Sequence, residues 1–345
     1  MSRFWVLVLA GFLALLVSPG PRAQAPSSPL TAWAVTIVIP PRVVAGQPAT
    51  LATLGVDGKL ASGVAVEVAG LKLTSDRTGR ASFVVPAAGR YIIAKASGAS
   101  VAALEDASVP ANNSHKLAVS SVVSLHDRFS ICGAGLSGDA YDNIVKINDQ
   151  FALSLAASPE CVVVLAGPKA TPGPSTISLT SPGIQATATT ALVSLDFLPP
   201  NPSLLPGRKG EITVRAQGSD EKLQLVVENE TPGVLRFQKG DAQEVITAGG
   251  AQNSAAIRVE AITSGDFSFH AQLVPMPDVD SARRYLEAAE TLAPKEQRDD
   301  IKKLADRLAH HPRDFRLVAN RLNEILSSTI AGDFRTLLEA ARESL

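Results

Sequence analysis

The sequence predicts a mainly β chain: tandem β-sandwiches followed by a C-terminal α-helical region. Three observations carry that prediction. Up to residue 276, turn chemistry recurs about every 8–12 residues, with apolar residues alternating at period 2 between the turns. From residue 278 onward, 25 of the chain's 65 charged residues crowd into 68 positions, and the other 277 positions share 40. Past that step the apolar period changes to 3.6, and Ala, Leu, Arg, Glu and Asp replace Val, Thr, Ser, Gly and Pro.

The N-terminus predicts export. Arg3 is a positive n-region, Phe4 to Val17 is an apolar run, Ser18-Pro19-Gly20-Pro21 ends it, and Ala23-Gln24-Ala25 has the A-x-A form of a cleavage site. Residues 1–25 therefore read as a secretory signal peptide. A retained membrane anchor is the alternative, but the run falls short of the roughly 20 apolar residues a spanning helix needs. No later stretch is apolar enough to span, so no membrane span is expected in the mature chain. The expected location is periplasmic, cell-surface or extracellular. No cysteine follows the cleavage site, so a bacterial lipid anchor on the new N-terminus is not expected.

Composition bounds the rest. The 345 residues are 46% hydrophobic and 19% charged, enough for three or four domains of about 70–90 residues. The formal net charge of −1 becomes −3 once Arg3 and Arg22 leave with the signal (30 basic, 33 acidic). No basic surplus exists for nucleic acid or an anionic membrane surface, so nucleic acid is excluded as a partner.

Residues 30–109 read as the first sandwich. Ala34 to Pro40 is a strand, Ala45-Gly46-Gln47-Pro48 a turn, and Ala49 to Leu54 a second strand. Asp57-Gly58 signals a hairpin. Val64, Val66 and Val68 alternate with Ala65, Glu67 and Ala69. Thr74 to Arg80 is a turn before Ala81 to Val85, and Gly89-Arg90 leads into Tyr91 to Ala96. Gly46-Gln47-Pro48, Leu73 to Asp76, Gly79 to Phe83 and Gly89-Arg90-Tyr91 together resemble the Ig-like, prealbumin-like modules of bacterial surface proteins. That resemblance implies an Asp76-led turn joining two strands, with Phe83 and Tyr91 in the core. A catalytic Asp76 is the competing reading; Asp is favoured in such turns because it bonds its own backbone.

Residues 114–190 form the next unit. Phe129 to Gly138 is a strand ending in a Gly-x-Gly-hydrophobic turn. Strands follow at Asn143 to Ile147, Cys161 to Leu165 and Thr176 to Thr180, with a turn over Ala156 to Glu160. This order resembles the IPT/TIG domain, an Ig-like fold, with a longer loop at Pro168 to Pro172. The resemblance makes the strands carrying Cys132 and Cys161 the second and fifth, which are neighbours. They are the only two cysteines, and an even pair in an exported chain predicts a disulfide between them. Gly133, Gly135 and Gly138 satisfy G-x-G-x-x-G literally, but a turn and a strand follow where a nucleotide site needs a helix.

Residues 191–276 read as a third Ig-like sandwich. Ala191 to Phe197 is a strand closed by Pro199-Pro200. Gly210 to Arg215, the alternating Leu223, Leu225 and Val227, and Gly265 to Ala271 supply others. Pro275-Met276-Pro277 is the linker. Residues 278–345 are the helical C-terminal region. Its stripes are Tyr285, Ala289 and Leu292; Ile301, Leu304 and Leu308; Leu317, Val318, Leu322, Ile325 and Leu326; and Phe334, Leu337, Leu338 and Ala341. Pro294 is placed to start a helix and His311-Pro312 to break one. The stripes are expected to bury against one another or against the third sandwich, because short isolated helices are marginal in water.

No catalytic residue, cofactor or metal site is expected. G-x-S-x-G and H-E-x-x-H are absent. His310-His311 beside Asp306 and Asp314 reads as a helix C-terminus, where His suits the dipole, ahead of a metal site. Gly138 to Asn143 lacks the alternating acids of a calcium loop. Asn112-Asn113-Ser114 and Asn229-Glu230-Thr231 fit the glycosylation sequon. The leading functional expectation is a non-catalytic exported or cell-surface protein whose Ig-like modules act as a spacer or protein-interaction surface. Its partner would be a protein or another cell-envelope component. The alternatives are an envelope adaptor whose helical tail binds a partner, and a carbohydrate-active enzyme or carbohydrate-binding protein; the latter is disfavoured by an aromatic content of 5%. N-terminal sequencing of the exported protein is expected to begin near Pro26; a full-length product starting at Met1 would contradict the signal reading.

Overall fold

The computed structural model describes residues 35–345 except 88, 110–115, 199–203, 241–242, 250–252 and 275. The expected signal segment 1–25, Trp33, His115, the Asn112 sequon, the Pro199-Pro200 stop and Pro275 lie outside the described residues. The chain is mainly β, built of Ig-like sandwiches with a C-terminal helical region.

The first sandwich sets Thr36–Val38, Pro48–Leu54 and Arg80–Val84 against a five-stranded sheet of Arg42–Val44, Ala99–Asp106, Tyr91–Ala96, Ala65–Val68 and Leu71–Thr74. The alternation read at Val66 and Val68 is real: both are buried while Glu67 is exposed. Val43, Leu51, Phe83 and Ile92 complete the core. The second sandwich faces Leu153–Ala157, Cys161–Leu165 and Arg128–Cys132 with Ile144–Ile147, Gly173–Ser181, Ile184–Leu198 and the parallel Val122–Ser124. The third faces Lys209–Gln217, Ser254–Ala261 and Leu235–Phe237 with Gln243–Ala248, Leu223–Asn229 and Phe269–Leu273. Gly265 to Ser268, read as the start of a strand, lies before it; pairing with Leu223–Asn229 begins at Phe269.

Strands run through the junctions between sandwiches. Ala157 pairs with Thr50, so one sheet continues from the first sandwich into the second. Val38, Ala52, Leu54, Leu155, Ala156 and Val163 bury a separate apolar cluster across that junction. Ile184–Leu198 is a single 15-residue strand. It passes unbroken through residue 190, where the sequence reading starts a new unit, pairing first with Gly173–Ser181 and then with Lys209–Gln217. The alternation changes phase there: Ile184, Ala186 and Leu192 face the second core, Val193, Leu195 and Phe197 the third, and the apolar run Ala191-Leu192-Val193 marks the handover between partners.

The helical region comprises α1 (Val279–Leu292), α2 (Lys295–His310), α3 (Phe315–Ser328) and α4 (Asp333–Glu343). Asp278 caps α1, its carboxylate accepting from Ser281 N–H at 3.0 Å and Ser281 Oγ–H at 2.6 Å. The helices pack on one another, as expected, and onto the first sandwich, which is not the surface expected. Leu286, Leu337 and Leu338 share one cluster with Ile93 and Leu104 of the five-stranded sheet. The reason is two-sided burial. Ile92 and Ala94 point into the sandwich, so Ile93 and Leu104 point out of it and need a cover. Tyr91 is corrected accordingly: it packs against the helical cluster, half-buried, and is not in the sandwich core. Of the stripe residues, Leu292 and Leu317 stay 41% and 49% exposed.

Polar contacts fix the register of this docking. Arg284 pairs with Asp106 at 2.6 Å, Lys95 with Asp333 at 2.6 Å, and Ser100 Oγ meets Thr336 Oγ1 at 2.6 Å. The Asp333 carboxylate raises Lys95, and burial pushes the Tyr285 hydroxyl up. The exposed Lys95 pair adds little stability; the buried leucines, at about 1.5–3 kcal/mol each, dominate.

Cys132 and Cys161 are bonded. They sit directly opposite each other on paired antiparallel strands, with Cα atoms 4.0 Å apart. Replacing both by Ser is expected to lower the unfolding free energy by about 3–4 kcal/mol, the loop-closure value for a separation of 29 residues. Urea denaturation checks this; a loss below about 1 kcal/mol would show that the bridge constrains little.

Candidate functional site

The residues weighed for chemistry in the sequence make turn, cap and junction contacts. Gly138 lies against the first sandwich: a Cβ there would sit 2.0 Å from Pro48 O, and Thr50 Oγ1–H donates to Gly138 O at 2.7 Å. Gly135 has φ +80°, and the next element is a 3-10 turn (Ala140–Asp142) leading into a strand. The glycine motif is thus a junction between sandwiches. Asp76 ties its turn through Oδ1, which accepts from Thr78 N–H, Thr78 Oγ1–H and Arg80 N–H, and the Thr78 hydroxyl leads in holding its carboxyl below the usual range. Asp139 accepts from Tyr141 N–H at 2.9 Å, and Asp142 from Ser137 Oγ–H at 2.9 Å. His310 closes α2, its Nδ1 2.8 Å from Asp306 O. Asn229 is buried and donates to Leu235 O at 2.7 Å, so this folded state does not offer it for glycosylation. Among the described residues no three His, Cys, Asp or Glu side chains gather as a metal site.

The same glycine-rich turn does build a surface. Tyr141, Ile144, Phe151 and Leu153 line one groove of about 590 Å³ between the first and second sandwiches. Their exposures of 55%, 48%, 66% and 43% make this an apolar patch open to solvent. Local chemistry explains it. Asn148 and Asp149, both at positive φ, form a two-residue turn between Ile144–Ile147 and Gln150–Phe151. That register puts Phe151 opposite Lys146, whose Nζ lies 4.9 Å from the ring centroid. Val145 and Ile147 alternate inward, so Ile144 faces out.

Tyr141 is held from below. Arg80 is 5% exposed, and its guanidinium donates to Leu155 O (3.2 Å), Ser154 O (2.6 Å), Thr78 O (3.3 Å) and the Tyr141 hydroxyl (3.2 Å). Its Cζ also sits 4.8 Å from the Tyr141 ring centroid. A buried cation on one sandwich therefore fixes an exposed ring on the other. The sequence reading named neither Arg80 nor Phe151 as a site residue. Asn148-Asp149 is a hairpin signal that would have paired Phe151 with Lys146; Arg80 had no local signal for this role, because its carbonyl acceptors on the second sandwich lie 74 and 75 residues away.

Two other places bring polar groups together. A cleft of about 410 Å³ lies between Val122, Phe129, Leu273, Met276 and Phe315, with charged residues around it. It lacks a ring fixed by a buried partner. Burial first, and then the Asp106 charge, pushes the Glu160 carboxyl up to about 7, while Asp106 itself pairs with Arg284 at 2.6 Å. No helix among the described residues is long and apolar enough to cross a membrane.

No family model and no curated protein matches the chain. Solved structures do. A Bacteroides ovatus protein, SGBP-B of a mixed-linkage glucan utilization locus, solved with a mixed-linkage heptasaccharide, is 12% identical with a TM-score of 0.26, over 67% of this chain and 71% of its own. A stretch of titin domains is 11% identical with a TM-score of 0.20, over 71% and 94%. The N-terminal four Ig domains of Dscam1 are 11% identical with a TM-score of 0.21, over 68% and 73%.

Gly138→Ala is expected to cost about 1–3 kcal/mol, because the added methyl meets Pro48 backbone and the sandwiches must part. Gly233→Ala, where the added methyl meets nothing, is the control and should change stability by less than about 0.5 kcal/mol. Thermal unfolding of both variants checks this; equal effects would remove the close approach as the cause.

Proposed function

We propose that this chain is a non-catalytic exported protein whose Ig-like modules present a protein-interaction surface, the Tyr141–Ile144–Phe151–Leu153 groove. The single observation that carries the reading is the exposed Tyr141 ring locked by the buried Arg80. Interfaces concentrate their energy in aromatic and Arg side chains, and a preorganised ring loses little entropy on binding. Export is supported by the signal-like residues 1–25 and by the disulfide. The second sandwich is proposed as an IPT/TIG-type module, on its Gly-x-Gly turn and strand order. An adaptor tail is the weaker reading, because α1–α4 spend their stripes on one another and on Ile93 and Leu104.

A carbohydrate ligand is the second reading, favoured by the two exposed rings in one groove. A photoreactive residue at position 151 is expected to trap a discrete protein adduct in envelope extracts, and the same residue at the exposed Val245 is not. Tyr141→Ala should weaken that capture by about 2 kcal/mol, roughly thirtyfold. Binding of a soluble polysaccharide that Phe151→Asp abolishes would move the ligand to carbohydrate. Neither adduct nor polysaccharide binding would overturn the groove as a site.

A further inference from the structure

The groove of Tyr141, Ile144, Phe151 and Leu153 carries charge of one sign. Arg77 and Arg80 line it, and no Asp or Glu among the described residues does. Lys146 stands at its edge, with Nζ 4.9 Å from the Phe151 ring centroid. Among the described residues, none of these three cations is in an ion pair. The acids nearest in sequence stay outside the lining and hold their own turns. Asp76 accepts from Thr78, Asp139 from Tyr141 N–H, and Asp142 from Ser137 Oγ–H. Asp149 sits at the exposed tip of the hairpin.

Arg80 gives that charge its reach. It is buried, and its guanidinium donates to Leu155 O, Ser154 O, Thr78 O and the Tyr141 hydroxyl. These acceptors are neutral: they satisfy its N–H groups and leave its charge without a counter-ion. Protein screens such a charge less than water does, so it acts strongly on what comes next to it. The Tyr141 hydroxyl relays it to the surface. Its oxygen accepts from Arg80 Nη1–H at 3.2 Å, and no described residue accepts its own O–H. A hydroxyl polarised in this way is a good donor to an anion. Arg77 is exposed, and its guanidinium fork matches a carboxylate.

We infer that the groove takes a segment of a partner protein in which apolar side chains flank an acidic one. The inference rests on the reading of the groove as an interaction surface and adds the charge of what enters it. Ile144, Leu153 and the Phe151 ring receive the apolar side chains, and the carboxylate meets Arg77 and the Tyr141 hydroxyl. The outward aliphatic residues favour a peptide over an acidic sugar chain: Ile144 and Leu153 offer apolar surface but no ring face for a sugar to stack on. A basic segment is turned away by the same cations. The whole chain has a formal net charge of −1, so the attraction comes from this local cluster.

A display library of short random peptides, selected on the full protein and counter-selected on its Phe151→Asp variant, tests this. The enriched peptides should carry Asp or Glu among apolar residues. For the tightest of them, converting that acid to its amide and making Arg77→Gln should each weaken binding about fivefold, and both together no more than either alone. Arg77 is exposed and unpaired among the described residues, so its replacement leaves the fold intact. Affinity should also fall on the order of tenfold as salt rises from about 0.05 to 0.5 M. Enrichment of neutral or basic peptides would overturn the inference and leave the groove as a site, as would losses that simply add in the double-variant cycle. Polygalacturonate binding that Phe151→Asp abolishes, with no peptide enriched, would overturn it in favour of an acidic polysaccharide. No Phe151-dependent binding of either probe would remove the groove reading and the inference with it.

Discussion

The strands Tyr91–Ala96 and Ala99–Asp106 are apolar on both faces, and the rest of the molecule is arranged around that fact. One face closes the first sandwich through Ile92, Ala94 and Ala103. The other presents Ile93 and Leu104, which water would otherwise meet. Covering them falls to the far end of the chain, where Leu286 of α1 and Leu337 and Leu338 of α4 supply the missing apolar surface. The C-terminal helices thereby return to the first module. Balanced charge on their outer faces, with exposed pairs such as Arg321 with Asp300, keeps that cover soluble while adding little to its hold.

The junctions between sandwiches are held by strands and a core of their own. The first and second sandwiches share a sheet through Thr50 and Ala157 and a dry cluster around Leu54 and Leu155. The second and third share the strand Ile184–Leu198. A groove made from two sandwiches keeps one shape only if they do not rock. Arg80 and Tyr141 need that constancy, since the acceptors of Arg80 on the second sandwich lie at 2.6 and 3.2 Å.

Local patterns in the sequence were enough to identify the sandwiches, the cysteine pair and the helices. Val66 and Val68, Leu223, Leu225 and Val227, and Ile301, Leu304 and Leu308 all bury the face their spacing implies. A periodic stripe says which face is apolar but not what will cover it, so the helices are expected to bury against one another or against the third sandwich, and only the first of these holds. The clue lay in Tyr91-Ile92-Ile93-Ala94, an uninterrupted apolar run that marks a strand buried on both sides. Ile184–Leu198 carries its junction as a break in the alternation: the run Ala191-Leu192-Val193 moves the inward positions from even to odd, from the second core to the third. The groove was least legible. Tyr141 reads as part of a solvated turn until Arg80, far off in sequence, is placed beneath it.

The central claim is that the helical region and the outer face of the first sandwich form one cooperative unit. Hydrogen exchange on a Leu337→Asp variant tests it most directly, because Leu337 is fully buried in that contact and far from the disulfide in sequence. Protection is expected to fall together in α1–α4 and in the strands Tyr91–Ala96 and Ala99–Asp106, with Cys161–Leu165 retaining its own. Loss confined to the helices, with both strands exchanging as slowly as in the unmodified protein, would contradict the claim.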